Sequence, residues 1–505
     1  MVKLSEILQS IEIIRIYKGQ EMDISGISYH SQKVAQGHIF VCIRGYKTDG
    51  HKYLANAVSN GAVAAIVEEY QPEIDIPQYL VENGRIALAR LADAFYNHPS
   101  QKMKMIGVTA TNGKTTTSYM INAILEQQGY KTGLIGTVSI KIDDTSIPSE
   151  LTTPESSDLQ SYLQQMVERN VSHVTMEVSS AAQETHRIET VDYDIVTFNN
   201  LSREHIDSHG SFEQYFAAKA KLITNARENS TAILNLDCPY SASLVNDTKA
   251  QVITFSLKST DGHIHCKDLD LSTGRAKFIY VILKPFTAGE TVFEPSQFEV
   301  ELAVPGLHSV YNSMVAITVA LLSGATIPTI QNTLKSFPGV ERRFEFIYED
   351  EKMKIIDDHF ANPGNINVTL ETLKFMTYEK LHLVYAIRGD RGPTVNRENA
   401  QTIAKWAKLL EFDEIIATKS VSHVTAKDWV SDEELNVFME EMDKANIKVS
   451  LYDELPDAIA EALTTTETGD LVLLAGCQGM DPGAKIALQQ LDKQKAETST
   501  STITS

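Results

Sequence analysis

Residues 107–117 read G-V-T-A-T-N-G-K-T-T-T. An apolar run, 103–108, precedes this stretch, and the pattern after it predicts a helix over 115–128, so G-K-T falls where a strand turns into a helix. That context suits a phosphate cradle. Gly113 lets the backbone approach an anion, and the amides that open the helix supply donors and the positive end of its dipole. Lys114 would reach the terminal phosphates, and the hydroxyl of Thr115 or Thr116 would sit on an accompanying Mg²⁺. Val108 stands where the strict G-x-x-x-x-G-K-[ST] pattern has its first glycine. A strand-turn-helix corner that merely contains G-K-T is the plain alternative.

Three further groups could do chemistry. Residues 171–178 alternate as a strand, with Val174, Met176 and Val178 on one face and His173, Thr175 and Glu177 on the other. A carboxylate at the carboxyl end of such a strand points into the crevice where open α/β sheets bind ligands, which makes Glu177 a candidate Mg²⁺ ligand or a solvated strand end. The polar loop 197–210, T-F-N-N-L-S-R-E-H-I-D-S-H-G, carries His205, which could ligate a metal, and Asn200, which could read a base edge or ribose. A helix follows, opened by Ser211 with Gln214 three residues on. Its apolar stripe runs Phe212, Tyr215, Phe216, Leu222, Ile223, and Lys219 falls inside that stripe while Lys221 lies opposite. A lysine on an inward face is costly unless it is paired, chemically changed, or snorkels out.

The elements that must position these residues belong to a long chain. At 505 residues it exceeds one core and suggests three domains. Residues 1–100 read as a small mixed α/β domain, with strands at 39–43 and 64–67 and helices at 52–60 and 84–96. Between its elements the loop R-G-Y-K-T-D-G-H could hold a polar ligand or be plain surface. Pro99 and Ser100 mark a first linker, Pro338 and Gly339 a second. Beyond it, strands at 354–356, 381–386, 414–418 and 471–475 alternate with helices at 365–373, 400–410 and 455–463, the pattern of a parallel sheet covered on both faces. The polar end, 493–505, reads as a disordered tail. A formal charge of −21 argues against a nucleic-acid partner. Four scattered cysteines without a C-x-x-C pair suit a reducing compartment, and the absence of an apolar signal region or a stretch of about 20 apolar residues points to a cytoplasmic protein without a membrane span.

T-A-T-N-G-K-T-T-T, L-T-T-P-E, M-E-V-S-S, F-N-N-L-S-R-E-H-I-D-S-H-G and Y-F-A-A-K-A-K-L, in this order, resemble the Mur ligases, and G-H-I-F-V-C-I-R-G-Y-K-T-D-G-H-K-Y resembles their first domain. The resemblance is nearest to the members that add the third residue of the peptidoglycan stem peptide. It implies an α/β chain with a substrate domain at 1–100, a central P-loop ATPase domain with a mostly parallel sheet at 101–337, and a Rossmann-like domain at 338–492. It also implies an amide ligase, expected to be monomeric, with small-molecule substrates: ATP, a nucleotide-sugar carboxylate and an amino acid. ATP would phosphorylate the carboxylate, and the amine would displace phosphate from the acyl phosphate, with ADP as the other product. By motif match Thr111, Asn112, Gly113, Lys114, Thr115 and Thr116 would form the nucleotide loop. Two Mg²⁺ ions are implied, Thr115 and Glu177 serving one and His205 the other. Lys219 would carry CO₂ as a carbamate that supports the second. Thr152, Thr153, Ser179 and Arg187 match positions that hold the nucleotide-sugar substrate, Ser31 its uridine end, and Asn200 a position near adenine.

The chain also departs from the family. Ala110 replaces a usual glycine, His30-Ser31-Gln32 stands for D-S-R, and Ala181 for a usual histidine. Arg343 resembles the arginine of a G-R-x-E segment near the nucleotide, and Asp358, in D-D-H-F-A-N-P, matches a position that holds ribose. The D-N-P-R motif is missing, with T-K-S-V-S-H-V in its place, and G-C-Q-G-M-D replaces the terminal G-K-G-H-E. The acceptor therefore need not be diaminopimelate or lysine. A relative acting on a non-peptidoglycan acyl group, and a nucleotide-binding ATPase module that has lost ligation, are the alternative readings.

Overall fold

The computed structural model describes residues 2–45, 48–202, 210–339, 344–390 and 392–503. His205 and Arg343 lie outside the described residues. Three large sheets follow one another along the described chain, each with its own core, beside two small two-stranded ones. The first has the strand order Arg15–Tyr17, Gln78–Leu80, Ala62–Val67, His38–Val41, Gly26–Ser28, with Arg15–Tyr17 alone antiparallel. Helix Gly84–Phe95, capped by the Asn83 side chain, covers it through Ala87, Leu88 and Leu91. The polar loop after His38–Val41 is engaged with its own domain. Arg44 pairs with Glu69 at 2.9 Å, and the His51 ring accepts from the Glu68 N–H at 2.9 Å.

The second sheet has eleven strands. Those from Thr132–Ile135 to Ile264–Asp270 run parallel, and antiparallel strands extend both ends. Lys104–Thr109 lies between His173–Glu177 and Ile195–Phe198. From it the chain crosses to Thr132–Ile135, on the far side of His173–Glu177. Connections therefore diverge around Lys104–Thr109, and a crevice opens at the carboxyl ends of these strands. Helices Lys114–Gln127 and Leu307–Leu322 pack on one face through Met120, Ile124, Met314 and Ile317, and Phe212–Thr224 packs on the other through Tyr215, Leu222 and Ile223. With both faces covered, every residue of His173–Glu177 is buried, so alternation along this strand separates two buried layers rather than core from water.

The third sheet has the order Glu345–Glu349, Met353–Asp358, Asp470–Gly476, Leu381–Ala386, Glu414–Thr418, Lys448–Tyr452, parallel except for its first strand. Helices Pro363–Leu373, Gly392–Leu409 and Asp432–Lys444 cover one face, Leu455–Thr465 and the start of Gly483–Ile503 the other. The segment expected as a tail continues this last helix to Ile503, since Lys, Gln, Ala and Glu at 493–497 favour helix once a packed turn has nucleated it. All four cysteines are buried and none forms a disulfide, and no described helix is long and apolar enough to cross a membrane.

Candidate nucleotide and metal site

The crevice of the central sheet collects most of the residues singled out above. Gly113 has φ 87° and opens helix Lys114–Gln127, a left-handed conformation that glycine adopts without strain. A Cβ at Gly113 would stand 2.4 Å from Asn312 Oδ1, so the close approach also requires glycine. The first-turn amides of the helix, with Thr115 and half-buried Thr116, face the loop end. Thr111 is pinned by its neighbours: its N–H donates to Asn200 O at 2.9 Å, and its Oγ1 accepts from the Ser202 N–H at 3.0 Å and lies 3.2 Å from the Tyr215 hydroxyl. Asn200, expected beside adenine, commits both ends of its amide to the loop. Oδ1 accepts from the Asn112 N–H at 3.0 Å, and Nδ2 donates to Asn112 O at 2.9 Å.

Two ammonium groups share one acceptor. Lys114 Nζ donates to Ala110 O at 2.9 Å and Thr111 O at 3.0 Å, while Lys219 Nζ donates to Ala110 O at 2.8 Å and lies 5.0 Å above the Tyr215 ring. Lys219 is 2 % exposed, so its stem does not snorkel to water. Lys221, on the opposite side of the helix, lines a separate cavity of ≈ 250 Å³ with Gln183, His186, Glu189, Asp192 and Arg227. Two cations and a helix N-terminus converging on one loop make the crevice attractive to a polyanion.

Glu177 is fully buried at the end of its strand. Its carboxylate accepts from the Thr137 N–H at 2.9 Å, the Thr137 hydroxyl at 3.0 Å and the Thr115 hydroxyl at 3.1 Å. A Cβ at Gly136 would meet its Oε1 at 2.4 Å, so glycine there leaves the room. Among the described residues no three His, Cys, Asp or Glu side chains cluster as a closed metal cage. A hydroxyl and a carboxylate beside a phosphate cradle fit Mg²⁺, which takes one or two protein oxygens and fills its octahedron with water and phosphate oxygens.

Beside Glu177 lies a third group. The Thr153 hydroxyl donates to Glu177 O at 2.8 Å and accepts from the Ser179 N–H at 3.1 Å. Thr152 Oγ1 is 3.1 Å from Thr137 Oγ1. Arg187 donates to Thr153 O at 3.0 Å and pairs with Glu155 at 2.9 Å, and Glu155 also pairs with Arg85 of the first domain at 3.3 Å. The Tyr29 hydroxyl, two residues before Ser31, donates to Asp158 at 2.6 Å. Ser31 itself is buried in the first domain, its carbonyl accepting from Asn60 at 2.8 Å. From the third domain, Asn365 Nδ2 reaches Asn112 Oδ1 at 3.3 Å. Asp358, at the end of Met353–Asp358, accepts from the Phe344 N–H at 2.9 Å and from the Thr369 hydroxyl.

Sequence reasoning missed Asn312. It sits in Leu307–Leu322, 2 % exposed, against Gly113, and accepts at Oδ1 from Asn199 at 3.1 Å, while its Nδ2 has no partner among the described residues. An asparagine inside a largely apolar and buried helix was the available signal, since a buried amide must find a partner. An unpartnered donor beside the phosphate loop is what a bound nucleotide would satisfy.

Comparison with known proteins agrees with this geometry. Three family models match: the Mur ligase family catalytic domain over 23–96, the Mur ligase middle domain over 108–320, and the Mur ligase glutamate ligase domain over 342–478. The chain is 34% identical, over 94% of its length and 94% of the relative's, to UDP-N-acetylmuramoyl-L-alanyl-D-glutamate--2,6-diaminopimelate ligase of Caldanaerobacter subterraneus subsp. tengcongensis. To the protein of that name in Bacillus licheniformis it is 33% identical over 98% of each chain. Among solved structures, one of a ligase with the same name superposes with a TM-score of 0.69 at 23% identity, covering 93% of each chain. The MurF ligase of Thermotoga maritima in complex with ADP gives 0.63 at 21%, covering 94% of this chain and 98% of that one.

Proposed function

The chain belongs to the Mur ligase family, and from that premise we propose which of its residues perform the family's reaction. It is a ligase that forms a carbon–nitrogen bond at the expense of ATP, with ADP as product, adding an amino acid to a UDP-N-acetylmuramoyl-peptide carboxylate. The observation that carries the assignment is the convergence, on one loop at the carboxyl ends of parallel strands, of Lys114, buried Lys219 and the Thr115–Glu177 pair.

In this reading the amides after Gly113 hold the phosphates of ATP, and Lys114 exchanges its carbonyl partners for terminal phosphate oxygens. Asn200 and Thr111 keep the loop shaped, and Asn112 lies against the third domain. Asn312 offers its free N–H to the nucleotide. Arg343 and Asp358 hold the nucleotide from the third domain. Thr115 and Glu177 would hold one Mg²⁺ and His205 the other, and ions there would offset the charge between the γ-phosphate and the carboxylate. Thr152, Thr153, Ser179 and Arg187 orient the nucleotide-sugar substrate, with Ser31 on its uridine side. The substrate carboxylate oxygen attacks the γ-phosphorus and ADP leaves. The unprotonated amine of the amino acid then attacks the acyl carbon, phosphate leaves, and the amine loses a proton to give the amide.

Lys219 is assigned as a carbamate: the lone pair of its neutral amine adds to CO₂, an N–C bond forms and one proton departs. Modification replaces a buried cation, which would repel metal ions, by an anion that attracts them. The enzyme is further proposed to act as a monomer in the cytoplasm. Phosphate release tests the whole reading. Release from ATP that requires Mg²⁺, the UDP-N-acetylmuramoyl dipeptide and an amine is the expected result. Release that ignores both the carboxylate and the amine would leave an ATPase module instead.

A further inference from the structure

Helix Phe212–Thr224 turns Lys219 toward the phosphate loop and Lys221 toward a cavity on its other side. This cavity, of ≈ 250 Å³, flanks the amino end of strand Ile195–Phe198 through Tyr193 and Val196, whereas the nucleotide crevice lies at the carboxyl ends of the same sheet. Its floor is tight. A Cβ on Gly107 would stand 2.9 Å from the Tyr193 ring and 3.3 Å from Leu222 Cδ1, so both side chains pack directly on strand Lys104–Thr109. The ligase reaction set out above makes no use of this space. At about 30 Å³ for each molecule of liquid water, it has room for roughly eight.

The polar groups around the cavity are unevenly engaged. Both acids are paired: Glu189 with His186 at 2.9 Å and with Arg90 of the first domain at 3.8 Å, Asp192 with Arg227 at 3.3 Å. Arg227 also donates to Tyr193 O at 3.3 Å. Lys221 has no carboxylate within salt-bridge distance among the described residues. Gln183, 9 % exposed, lines the same cavity, and no described residue accepts a hydrogen bond from its Nε2. Asn225, four residues after Lys221 and on the same face of the helix, adds a second amide. A buried donor without an acceptor is costly, and a cation without a counter-ion faces the same space, so what the cavity lacks is an anion. One unpaired ammonium beside two carboxylates suits a single negative charge and disfavours a phosphate group, which carries nearly two at neutral pH. Ile188, Val196 and Leu222 are buried and offer apolar contact, so the anion has an organic body.

We propose that this cavity binds a small organic carboxylate at a site apart from the reaction. The carboxylate accepts from Lys221, Asn225 and Gln183, and the body lies on Ile188, Val196 and Leu222. The site stands independently of the ligase reading. Its walls belong to two elements that also serve the crevice. The helix presents Lys219, and the segment that starts at Gln183 continues to Arg187, which donates to Thr153 O at 3.0 Å. A bound carboxylate bridges Lys221 to Gln183 and ties these two elements together.

Butanoate is the probe, with butan-1-ol, butan-1-amine and inorganic phosphate beside it. Binding to the full chain is followed by calorimetry, with and without Mg²⁺ and ADP, and by nuclear Overhauser contacts between the butanoate chain and labelled Ile, Val and Leu methyl groups. The expected result is a dissociation constant on the order of 1 mM or lower for butanoate, binding about tenfold weaker or worse for the other three, and contacts to Ile188, Val196 and Leu222. Lys221→Met and Gln183→Leu should each weaken butanoate about fivefold or more. Equal binding of butanoate and butan-1-ol would overturn the anion assignment, and tighter binding of phosphate would overturn the organic body. Contacts to other methyl groups, no binding at all, binding that ADP abolishes, or unchanged affinity in Lys221→Met would overturn the site. Gln183 is buried, so the melting temperature of Gln183→Leu is read first; where that variant melts early, Lys221→Met, at an exposed position, decides. None of these readings involves amide formation or phosphate release, so their failure and that of the ligase reading are distinguishable.

Discussion

Replacing Lys219 by Met removes the ammonium and keeps most of the stem that lies beside Tyr215. The head group donates a charge-assisted hydrogen bond to Ala110 O at 2.8 Å and lies 5.0 Å from the centre of the Tyr215 ring, in a side chain 2 % exposed. Such a bond is worth about 1.5–3 kcal/mol. If Lys219 only shapes the loop, the loss in kcat/KM is therefore roughly 10- to 150-fold. A carbamate that supports a catalytic metal contributes several kcal/mol in the transition state, so the loss becomes about 1000-fold or more. ADP release under saturating ATP separates the two ranges. Lys221→Ala, on the outer side of the same helix, should stay within about threefold, because an exposed lysine there contributes little. Added acetate or formate, occupying the space left by the carbamate carboxyl, should restore part of the activity of Lys219→Ala. Loss confined to the lower range without such recovery would refute the carbamate, and wild-type activity in Lys219→Met would refute any role for the head group.

Other outcomes follow from the same geometry. Lys114→Ala should lower ATP turnover about 1000-fold or more with little change in melting temperature, since this lysine touches loop carbonyls rather than core; unchanged turnover would reject the loop as the phosphate site. Glu155→Gln weakens the bridge between Arg85 and Arg187, so KM for the nucleotide-sugar substrate should rise about tenfold while KM for ATP holds, and a change in ATP alone would contradict this. Burial holds His308 down at about 4, against 6.5 for the free side chain. The unfolded chain therefore binds the extra proton first as pH falls; the stability from neutral His308 is complete above about pH 6.5 and is lost toward pH 4. Melting temperature against pH should drop less steeply over that window in His308→Gln, and identical slopes would show that His308 does not titrate on unfolding.

The fold was legible where local pattern and tertiary role agree. Strands 381–386 and 414–418 have the predicted limits, because short, largely apolar runs rich in β-branched and aromatic residues suit buried parallel strands. Helix Gly392–Leu409 starts eight residues before the predicted 400, since its first two turns are polar and carry no stripe. Strand Lys448–Tyr452 and edge strand Glu345–Glu349 lack a buried run and were missed. In the site, the loop, Glu177 and Lys219 were visible because each violates an expectation of its element: a glycine before a helix, an acid and a lysine facing inward. Asn312 was not, because its meaning lies in what it faces. Gly113 is 199 positions from Asn312, and only the packing of two helices brings them together.

Transfer of oxygen tests the central claim most directly. A UDP-N-acetylmuramoyl dipeptide labelled with ¹⁸O in its reacting carboxylate is incubated with ATP, Mg²⁺, an amino acid and the enzyme, and the released phosphate is weighed by mass spectrometry. Attack of the carboxylate on the γ-phosphorus, followed by attack of the amine on the acyl carbon, carries one ¹⁸O into phosphate for every amide formed. Unlabelled phosphate, or phosphate released without amide, would contradict it.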